Sequence, residues 1–493
     1  MIRAVRRLTP ALCFALALPA IAQAAVYTPT KTTDSNDGAC DSDCSLREAI
    51  AAANQHAGED VILLHAGVYV AANLQTQGDL ILIGDGAGRT ILDGGAAGTI
   101  LTVPGGTVQI QDVTFRNGRG PGAGGAIRNG GALTLLRTIF DNNASVAGTA
   151  GAGLGGAILS DGNEAVLTLI DSTVSNNTAQ SGGGGLALGG NFALSNVTIS
   201  GNRSQSDFGG GVYLFSDGRG SLNNVTIANN SAALKGGGAF IENSAFIGVS
   251  PKVTNSVIAG NTATGGEPDC SGAIDTAYDL IGNGAGCLGP AAAKHDLVGT
   301  AVAPIDPKLG PLAANGGPTP TRALLTGSPA IDAGNPAAPG SGNGACEATD
   351  QRGAHRPGGA ACDIGAFEKT TACVAGGGTL CLGAGGRFAV TATFAAPGSG
   401  PSGQAQGVTL TQDSGYFWFF DPSNVEVTVK VLDGCGVNSK YWVFAAGMTN
   451  VNVVLTVTDT ATGQVKTYTN PQGRTYRSIL DTTAFATCSY TEP

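Results

Sequence analysis

Residues 171–202 read DSTVSNNTAQSGGGGLALGGNFALSNVTISGN, and this stretch contains one complete repeat of a pattern that recurs along the chain. In each repeat a strand ends on an apolar residue, an asparagine follows, and a pair of glycines precedes the next apolar strand. The apolar strand ends are Phe115, Phe140, Val174, Ile199, Ile227 and Ile258. They are separated by 25, 34, 25, 28 and 31 residues, and a period of this size indicates stacked supersecondary units.

The repeats predict short β-strands rather than helices. Apolar residues alternate within a unit, as at Leu133 and Leu135, and this is the period of a strand. Glycine pairs such as Gly155 and Gly156 permit tight corners and close backbone approach. Each coil is therefore expected to alternate strands and corners, with equivalent positions stacked about 4.8 Å apart.

A column of asparagines supports this register. One asparagine follows the strand in successive repeats, at Asn143, Asn177, Asn202, Asn230 and Asn261. Asparagine tolerates a left-handed backbone, and its side-chain amide can hydrogen-bond to a stacked neighbour. We therefore predict a buried amide ladder, which also explains the N-x-S/T sequences at Asn143 and Asn202 without glycosylation.

The GGAI and FxNN elements of these repeats resemble the repeats of polymorphic outer-membrane proteins and of the wider pectate-lyase-like class. The resemblance extends over residues 105–262. It implies a right-handed parallel β-helix. The expected fold class is all-β, with a short N-terminal capping helix on the β-helix and a C-terminal antiparallel β-sandwich.

Two flanking segments resemble domains of exported bacterial proteins. Residues 44–50, CSLREAI, resemble the CSLREA domain, and Ser45 with Glu48 forms a capping box that predicts a helix start. Several later stretches resemble the choice-of-anchor Q domain, a family that typically carries a surface anchor. These are DPKLGPL at 306–312, NGGPTPT at 315–321, GSPAIDAG at 327–334, DQRG at 350–353 and CDIGAFE at 362–368.

Domain boundaries follow from these motifs and from composition. Residues 1–24 combine arginines, an apolar stretch and a small-x-small site, which is typical of a Sec-type signal peptide. We predict a cap at 25–60, the β-helix at 61–303, an anchor-Q-type C-terminal region of the helix at 304–368 and a disulfide-bonded β-sandwich at 370–493. In the sandwich, Trp418 and Trp442 are expected in the core.

Cysteine usage points to an oxidising compartment. Without the signal peptide the cysteine count falls from 11 to the even number 10, as expected for disulfides. We predict the local pairs Cys40–Cys44, Cys270–Cys287 and Cys346–Cys362. The remaining four cysteines allow three connectivities, of which Cys373–Cys381 with Cys435–Cys488 is favoured. No CxxC pair lies beside suitable histidines, which argues against a zinc site.

The negative net charge of the chain excludes some classes of binding partner. Loss of three arginines with the signal peptide moves the formal net charge from −10 to −13, which disfavours nucleic acid and anionic membranes. No later apolar run is long enough to span a bilayer. We expect a secreted or surface-displayed protein, with the periplasm as the alternative location and the oligomeric state open.

Candidate catalytic residues are sparse, because no hydrolase or nucleotide-binding motif occurs. The nearest candidates form one column, Asp112, Arg137 and Asp171, in which Arg137 is expected between two carboxylates, each about 5 Å away. Enzymes similar to pectate lyases use a carboxylate cluster for calcium and a basic side chain for proton removal. An ion-pair ladder without catalysis explains the same column.

A candidate calcium loop precedes the capping helix. Asp34, Asp37, Asp41 and Asp43 surround a glycine, and the predicted Cys40–Cys44 bridge closes part of the loop. Alternating carboxylates of this kind resemble oxygen-rich calcium loops. The alternative is an acidic, solvated entry to the helix.

Three functions remain at this point. The first is a non-enzymatic, exported binding or adhesion protein, with glycans as the candidate ligand. The second is a polysaccharide lyase or glycoside hydrolase of the pectate-lyase-like class, and the third is a structural envelope or matrix protein. The missing catalytic constellation favours the first, with no cofactor beyond the candidate calcium.

Overall fold

The computed structural model describes residues 24–148, 151–215, 218–242, 250–370, 373, 375–376, 378–398 and 400–488. The signal peptide is predicted at residues 1–24, of which residues 1–23 lie outside the described residues. The predicted fold class is confirmed: parallel sheets form a β-helix behind a short helix, and antiparallel sheets follow at the C-terminus.

Three stacks of parallel strands build the β-helix, because each strand pairs with the equivalent strand of the next coil. In the described part of the chain, the long sheet has eighteen strands. They are Val26–Tyr27, Asp60–Leu64, Gly67–Val70, Leu80–Gly84, Thr90–Asp93, Thr107–Gln111, Thr114–Arg116, Ala132–Leu136, Ile139–Asp141, Val166–Ser175, Asn191–Ser200, Arg219–Asn223, Thr226–Ala228, Lys252–Thr254, Val257–Ala259, Asp275–Ala277, Leu280–Ile281 and Leu297–Val298.

Two narrower sheets complete each coil. The nine strands of the back sheet are Leu74–Gln75, Leu101–Val103, Ile127–Asn129, Ile158–Ser160, Leu186–Leu188, Val212–Leu214, Ala239–Ile241, Cys270–Ala273 and Cys287–Leu288. The six strands of the short sheet are Arg119–Pro121, Ala144–Val146, Thr178–Ala179, Arg203–Ser204, Ser231–Ala232 and Thr262–Ala263. A 3₁₀ turn at Ala292–Lys294 precedes the last strand of the long sheet.

The core lies inside the coils and is built from stacked apolar columns. Leu135 pairs in register with Ile110 and Leu169, and all three are fully buried. Phe115 and Phe140 stack with ring centroids 5.0 Å apart. The glycine corners pack closely, since a Cβ on Gly156 would collide with the Gly184 carbonyl oxygen of the next coil.

The predicted asparagine ladder is confirmed. The backbone N–H and the Nδ2 group of Asn177 donate to Asn202 Oδ1 at 3.0 and 2.9 Å, and Asn202 donates in the same way to Asn230. The ladder ends where Asn261 donates to the carboxylate of Asp269. All five ladder asparagines are buried.

The N-terminal end of the stack is closed by helix Leu46–Gln55. Ser45 Oγ accepts a hydrogen bond from the Glu48 backbone N–H, and the Glu48 carboxylate accepts one from the Ser45 backbone N–H, so the predicted capping box is confirmed. Ala49 and Ile50 are buried in the same hydrophobic cluster as the coils. The helix therefore covers apolar surface that the first coil would otherwise expose.

Residues 306–369, which we call the return segment, run back along the outside of the long sheet. They contain an antiparallel pair of strands, Leu309–Ala313 and Thr321–Leu324. Their hydrogen bonds reach coils 80 to 178 residues earlier in the chain. The segment is thus held by the side of the stack and adds no strand to the three parallel sheets.

The C-terminal domain packs two antiparallel sheets over one core. The first sandwich sheet contains Thr379–Leu382, Phe388–Ala395, Ser402–Gln404, Asn452–Asp459 and Val465–Asn470. The second sandwich sheet contains Gln406–Thr411, Ser414–Trp418, Val427–Gly434, Lys440–Gly447 and Ile479–Phe485. Short helical turns lie at Ala384–Gly386 and Cys435–Asn438.

All five predicted disulfides are confirmed. They are Cys40–Cys44, Cys270–Cys287, Cys346–Cys362, Cys373–Cys381 and Cys435–Cys488. Among the residues that the structure describes, no helix has the length and apolar character needed to cross a membrane.

Candidate functional site: the turn column and its cover

The candidate catalytic residues lie in a column of left-handed turns that join the two halves of the long sheet. We call this the turn column. It consists of Asp112, Arg137, Asp171, Asn196, Asn224 and Asn255, with φ between 50° and 60°. Because Asn and Asp adopt this backbone more readily than other non-glycine residues, the fold explains five of the six residues without reference to catalysis.

Asp112 and Arg137 form a forked ion pair at the N-terminal end of the column. Arg137 Nε donates to Asp112 Oδ1 at 2.7 Å, and Arg137 Nη2 donates to Oδ2 at 2.6 Å. The exposed fractions of the two side chains are 32% for Arg137 and 19% for Asp112. This end of the column is therefore in contact with solvent.

Asp171 belongs to a different set of contacts. Its Oδ1 accepts a hydrogen bond from Asn196 Nδ2 at 3.1 Å, and its backbone carbonyl accepts one from Thr319 Oγ1 of the return segment. Burial raises the pKa of Asp171 to about 7, and the negative charges of Asp350 and Glu347 act in the same direction. A share of Asp171 is thus protonated at neutral pH.

The return segment covers the turn column beyond Asp171. Asn196 Nδ2 donates to the Thr349 carbonyl at 2.9 Å. Asn224 Oδ1 accepts the backbone N–H of Glu347 at 2.9 Å. Further along, Asn255 Nδ2 donates to the Gly344 carbonyl at 2.9 Å, and Asn255 Oδ1 accepts the backbone N–H of Asn335 at 2.8 Å. These asparagines therefore bind the return segment of the same chain.

Gln351 of the return segment forms four side-chain hydrogen bonds, and nothing in the sequence pattern indicated a role for it. Its Oε1 accepts from Thr198 Oγ1 at 2.6 Å. Its Nε2 donates to Thr173 Oγ1 and Thr319 Oγ1, both at 2.9 Å. Gln351 is 1% exposed, so it fixes the return segment to two adjacent coils.

A buried charge network holds the return segment in shape. Arg356 Nη1 lies 2.7 Å from Glu368 Oε2, and both side chains are fully buried. Arg352 pairs with Asp350 at 2.7 Å and stacks over the Phe367 ring, 3.7 Å from its centroid. Asp350 and Arg352 belong to the DQRG stretch and Phe367 and Glu368 to CDIGAFE, whereas Arg356 lies between the two stretches. Charged residues in a chain with only 13% of them were the signal available in the sequence.

The return segment also connects the β-helix to the sandwich. Arg352 Nη1 donates to the Ala461 carbonyl at 2.6 Å. In the sandwich, Arg387 forms a forked pair with Asp459 at 2.8 and 2.7 Å. The guanidinium of Arg352 therefore serves both the charge network and the junction between the domains.

The four carboxylates of the candidate calcium loop point to separate partners. Asp34 accepts two hydrogen bonds from Arg47 at 2.9 and 2.7 Å, and Asp43 pairs with Lys31 at 2.6 Å. Asp37 and Asp41 accept backbone N–H groups within the loop. Within the described ranges, no three His, Cys, Asp or Glu side chains converge on a possible metal position. Calcium binding by this loop stays a prediction.

The core placement expected for the two tryptophans is wrong. Trp418 and Trp442 are half-buried and point away from the sandwich core, because Phe417 and Val443 take the inward positions of their strands. Period-2 alternation requires this once the neighbours are buried.

The raised pKa of Asp171 predicts a pH dependence of stability. Its proton stabilises the folded state below the unfolded pKa near 4, and this contribution is lost as pH rises towards 7. At pH 8, Asp171→Asn is therefore expected to raise the free energy of unfolding by about 1–3 kcal/mol, because asparagine suits the turn and carries no charge. Urea unfolding at pH 5 and pH 8 measures the difference.

The exposed Asp161 supplies the control for this measurement. Asp161→Asn should leave the pH profile unchanged. Equal stability of the wild type and Asp171→Asn at pH 8 would show that Asp171 is solvated in its ionised form.

Comparison with known proteins supports the fold. No curated protein and no solved structure matched the chain. Residues 98–278 match the family model described as a right handed beta helix region. Together with the three stacks of parallel strands, this match identifies the central part of the chain as a right-handed β-helix.

Proposed function

We propose that the protein is an exported, non-enzymatic binding or adhesion protein whose β-helix serves as a rigid support. One observation carries the proposal: the return segment occupies the turn column from Asp171 to Asn255. The polar side chains from Asp171 to Asn255 are thereby used for internal packing, whereas the Asp112–Arg137 end of the column stays in contact with solvent. A ligand would then bind outside the covered part of the column.

Export is supported by two independent features. Five disulfides are typical of proteins that fold in an oxidising compartment. The flanking segments resemble the CSLREA and choice-of-anchor Q domains of exported bacterial proteins, and residues 1–24 resemble a signal peptide. Together they favour the secreted or surface-displayed state.

The alternative, a polysaccharide lyase or hydrolase, has one favourable observation. The solvent-accessible Asp112–Arg137 pair lies next to Asp171, whose pKa burial raises to about 7. A carboxyl group that is partly protonated at neutral pH can serve as a general acid. Under this alternative, Arg137 would be needed for turnover.

Incubation with a panel of acidic and neutral polysaccharides distinguishes the two. We expect binding without release of reducing ends or unsaturated products, and no effect of Arg137→Ala on either readout. Arg128→Ala, at an exposed position on the back sheet, is the matched control. Turnover that Arg137→Ala abolishes and Arg128→Ala preserves would make the protein an enzyme. Absence of both binding and turnover would favour a structural envelope protein.

A further inference from the structure

The outward face of the second sandwich sheet carries a group of aromatic side chains, which we call the aromatic face. Its rings belong to Tyr416, Trp418, Trp442 and Phe444, all half-buried. Strand alternation places them on the side opposite the buried Phe417 and Val443. None of the four belongs to the sandwich core.

The strand register brings further apolar surface onto the same face. Phe444 pairs with Leu480, which is 74% exposed, and Trp442 pairs with the half-buried Leu432. Trp442 and Phe444 meet edge to face, with centroids 6.2 Å apart. Trp442, Phe444, Leu432 and Leu480 are thus neighbours in one apolar patch, and Tyr416 and Trp418 lie further along the same face. An exposed apolar patch often marks a binding site.

The rings of this face are held in place before any ligand arrives. Trp442 Nε1 donates to Asn438 Oδ1 at 2.8 Å, which fixes the indole. A Cβ on Gly434 would collide with that indole nitrogen, so the glycine makes room for the ring. A fixed ring loses little conformational entropy on binding, which favours affinity.

The charges at the outward positions of the two central strands of the aromatic face are positive, and Glu426, which precedes the first of them, is 5% exposed and accepts a hydrogen bond from Asn424. The outward positions of strands Val427–Gly434 and Lys440–Gly447 contain two lysines, Lys430 and Lys440, and no carboxylate. Lys430 is exposed, and its Nζ lies 5.2 Å from the centre of the Phe444 ring. Asp433 lies on the other side of the sheet, where it lines a cavity with Arg387 and Tyr441.

This local charge differs from that of the whole chain, whose formal net charge is −10. At physiological ionic strength, charges more than about 8 Å away are largely screened. A ligand in contact with the aromatic face therefore meets the lysines rather than the acidic β-helix.

We propose that the aromatic face binds an acidic polysaccharide. Aromatic rings present flat apolar surfaces on which the apolar faces of pyranose rings can stack, and the two lysines pair with sugar carboxylates. This inference rests on the proposed function as a binding protein and names its site and ligand class.

The two tryptophans of the chain make the test direct, because both belong to this face. Titration of the full-length protein with polygalacturonic acid should give a saturable change in tryptophan emission. Trp442→Ala should raise the Kd about tenfold, as expected for the loss of one ring contact. Tyr213→Ala, a half-buried aromatic on the back sheet of the β-helix, should leave the Kd unchanged.

A second variant tests the charge. Lys430→Gln should raise the Kd for polygalacturonic acid about threefold and leave binding of its fully methyl-esterified form unaltered. Thermal unfolding of each variant checks that the fold is retained. Equal binding of the acidic and esterified polymers by the wild type would overturn the assignment of an acidic ligand.

The outcomes also separate this inference from the proposed function. The protein could be retained by the polymer in affinity electrophoresis, with no change in tryptophan emission and no effect of Trp442→Ala. That result would overturn the aromatic face as the binding site, and the protein would still be a binding protein. Failure to bind any acidic polysaccharide would overturn the inference. Turnover dependent on Arg137 would overturn the proposed function.

Discussion

Replacing Arg356 with methionine is expected to destabilise the protein by about 3–5 kcal/mol. The reason is that Glu368 would keep its place in the buried charge network without its cationic partner, since both side chains are fully buried. Glu368 would retain only the backbone N–H donors of Gly358 and Asp363. The loss should be larger at pH 8 than at pH 5, because burial raises the pKa of Glu368 and a protonated carboxyl needs no cation.

Urea unfolding of the full-length protein measures this loss, and limited proteolysis shows whether the return segment is released first. The double variant Arg356→Met with Glu368→Gln should recover part of the stability, as removal of the second charge relieves the first. Arg128→Met, at an exposed strand position, is the control. Similar losses for Arg128→Met and Arg356→Met would contradict a buried network.

Replacing Asn202 with leucine is expected to lower the free energy of unfolding by about 2–4 kcal/mol. Asn202 Oδ1 accepts both the backbone N–H and the Nδ2 group of Asn177, and Asn202 Nδ2 donates to the Val174 carbonyl. Leucine removes the acceptor of the Asn177 N–H and the Nδ2 donor to the Val174 carbonyl, and it leaves Asn177 Nδ2 with its bond to the Phe140 carbonyl. A buried polar group without a hydrogen-bond partner lowers the free energy of unfolding far more than an exposed one, which water can solvate.

The midpoint of denaturant unfolding reports this change, since Asn202→Leu alters few contacts outside the ladder. Asn191→Leu is a matched control in the same coil, because Asn191 begins its strand at an exposed position. An unchanged midpoint for Asn202→Leu would mean that the ladder amides exchange their hydrogen bonds with water at no cost.

The β-helix could be predicted from the sequence because its contacts repeat at short range. Each ladder asparagine bonds to the next one, 25 to 34 residues away, so one period in the sequence contains the whole interaction. The capping box depends on residues only three positions apart. In both cases the interacting groups are visible within one stretch of chain.

The cover of the turn column could not be predicted in this way. Gln351 binds Thr173 across 178 residues, and no periodicity relates the two positions. The aligned column of Asp112, Arg137 and Asp171 was predicted correctly, but the left-handed turns at these positions were not. No pattern indicated that the return segment occupies the column from Asp171 to Asn255. The DQRG stretch supports the family resemblance, but its sequence does not show that Arg352 and Asp350 form a buried ion pair.

The outward orientation of the two tryptophans could not be predicted from the sequence, for a different reason. The run from Tyr416 to Phe420 is aromatic at every position, so alternation offers no contrast between the two sides of the strand. Phe417 and Phe419 are buried, whereas Trp418 faces outward. Only the packing of the opposite sheet decides which alternate set enters the core.

The return segment also constrains the order in which the molecule can assemble. Each coil needs only its predecessor, so the stack can grow by nearest-neighbour addition from the capped end. The return segment, in contrast, has no surface to dock on until coils as far back as Thr173 have formed. Contacts of such long sequence separation form slowly, because the intervening loop must close first. Until that late step, the side of the stack remains open to other chains, so the final closure is the period in which the newly made protein is most vulnerable to misassembly.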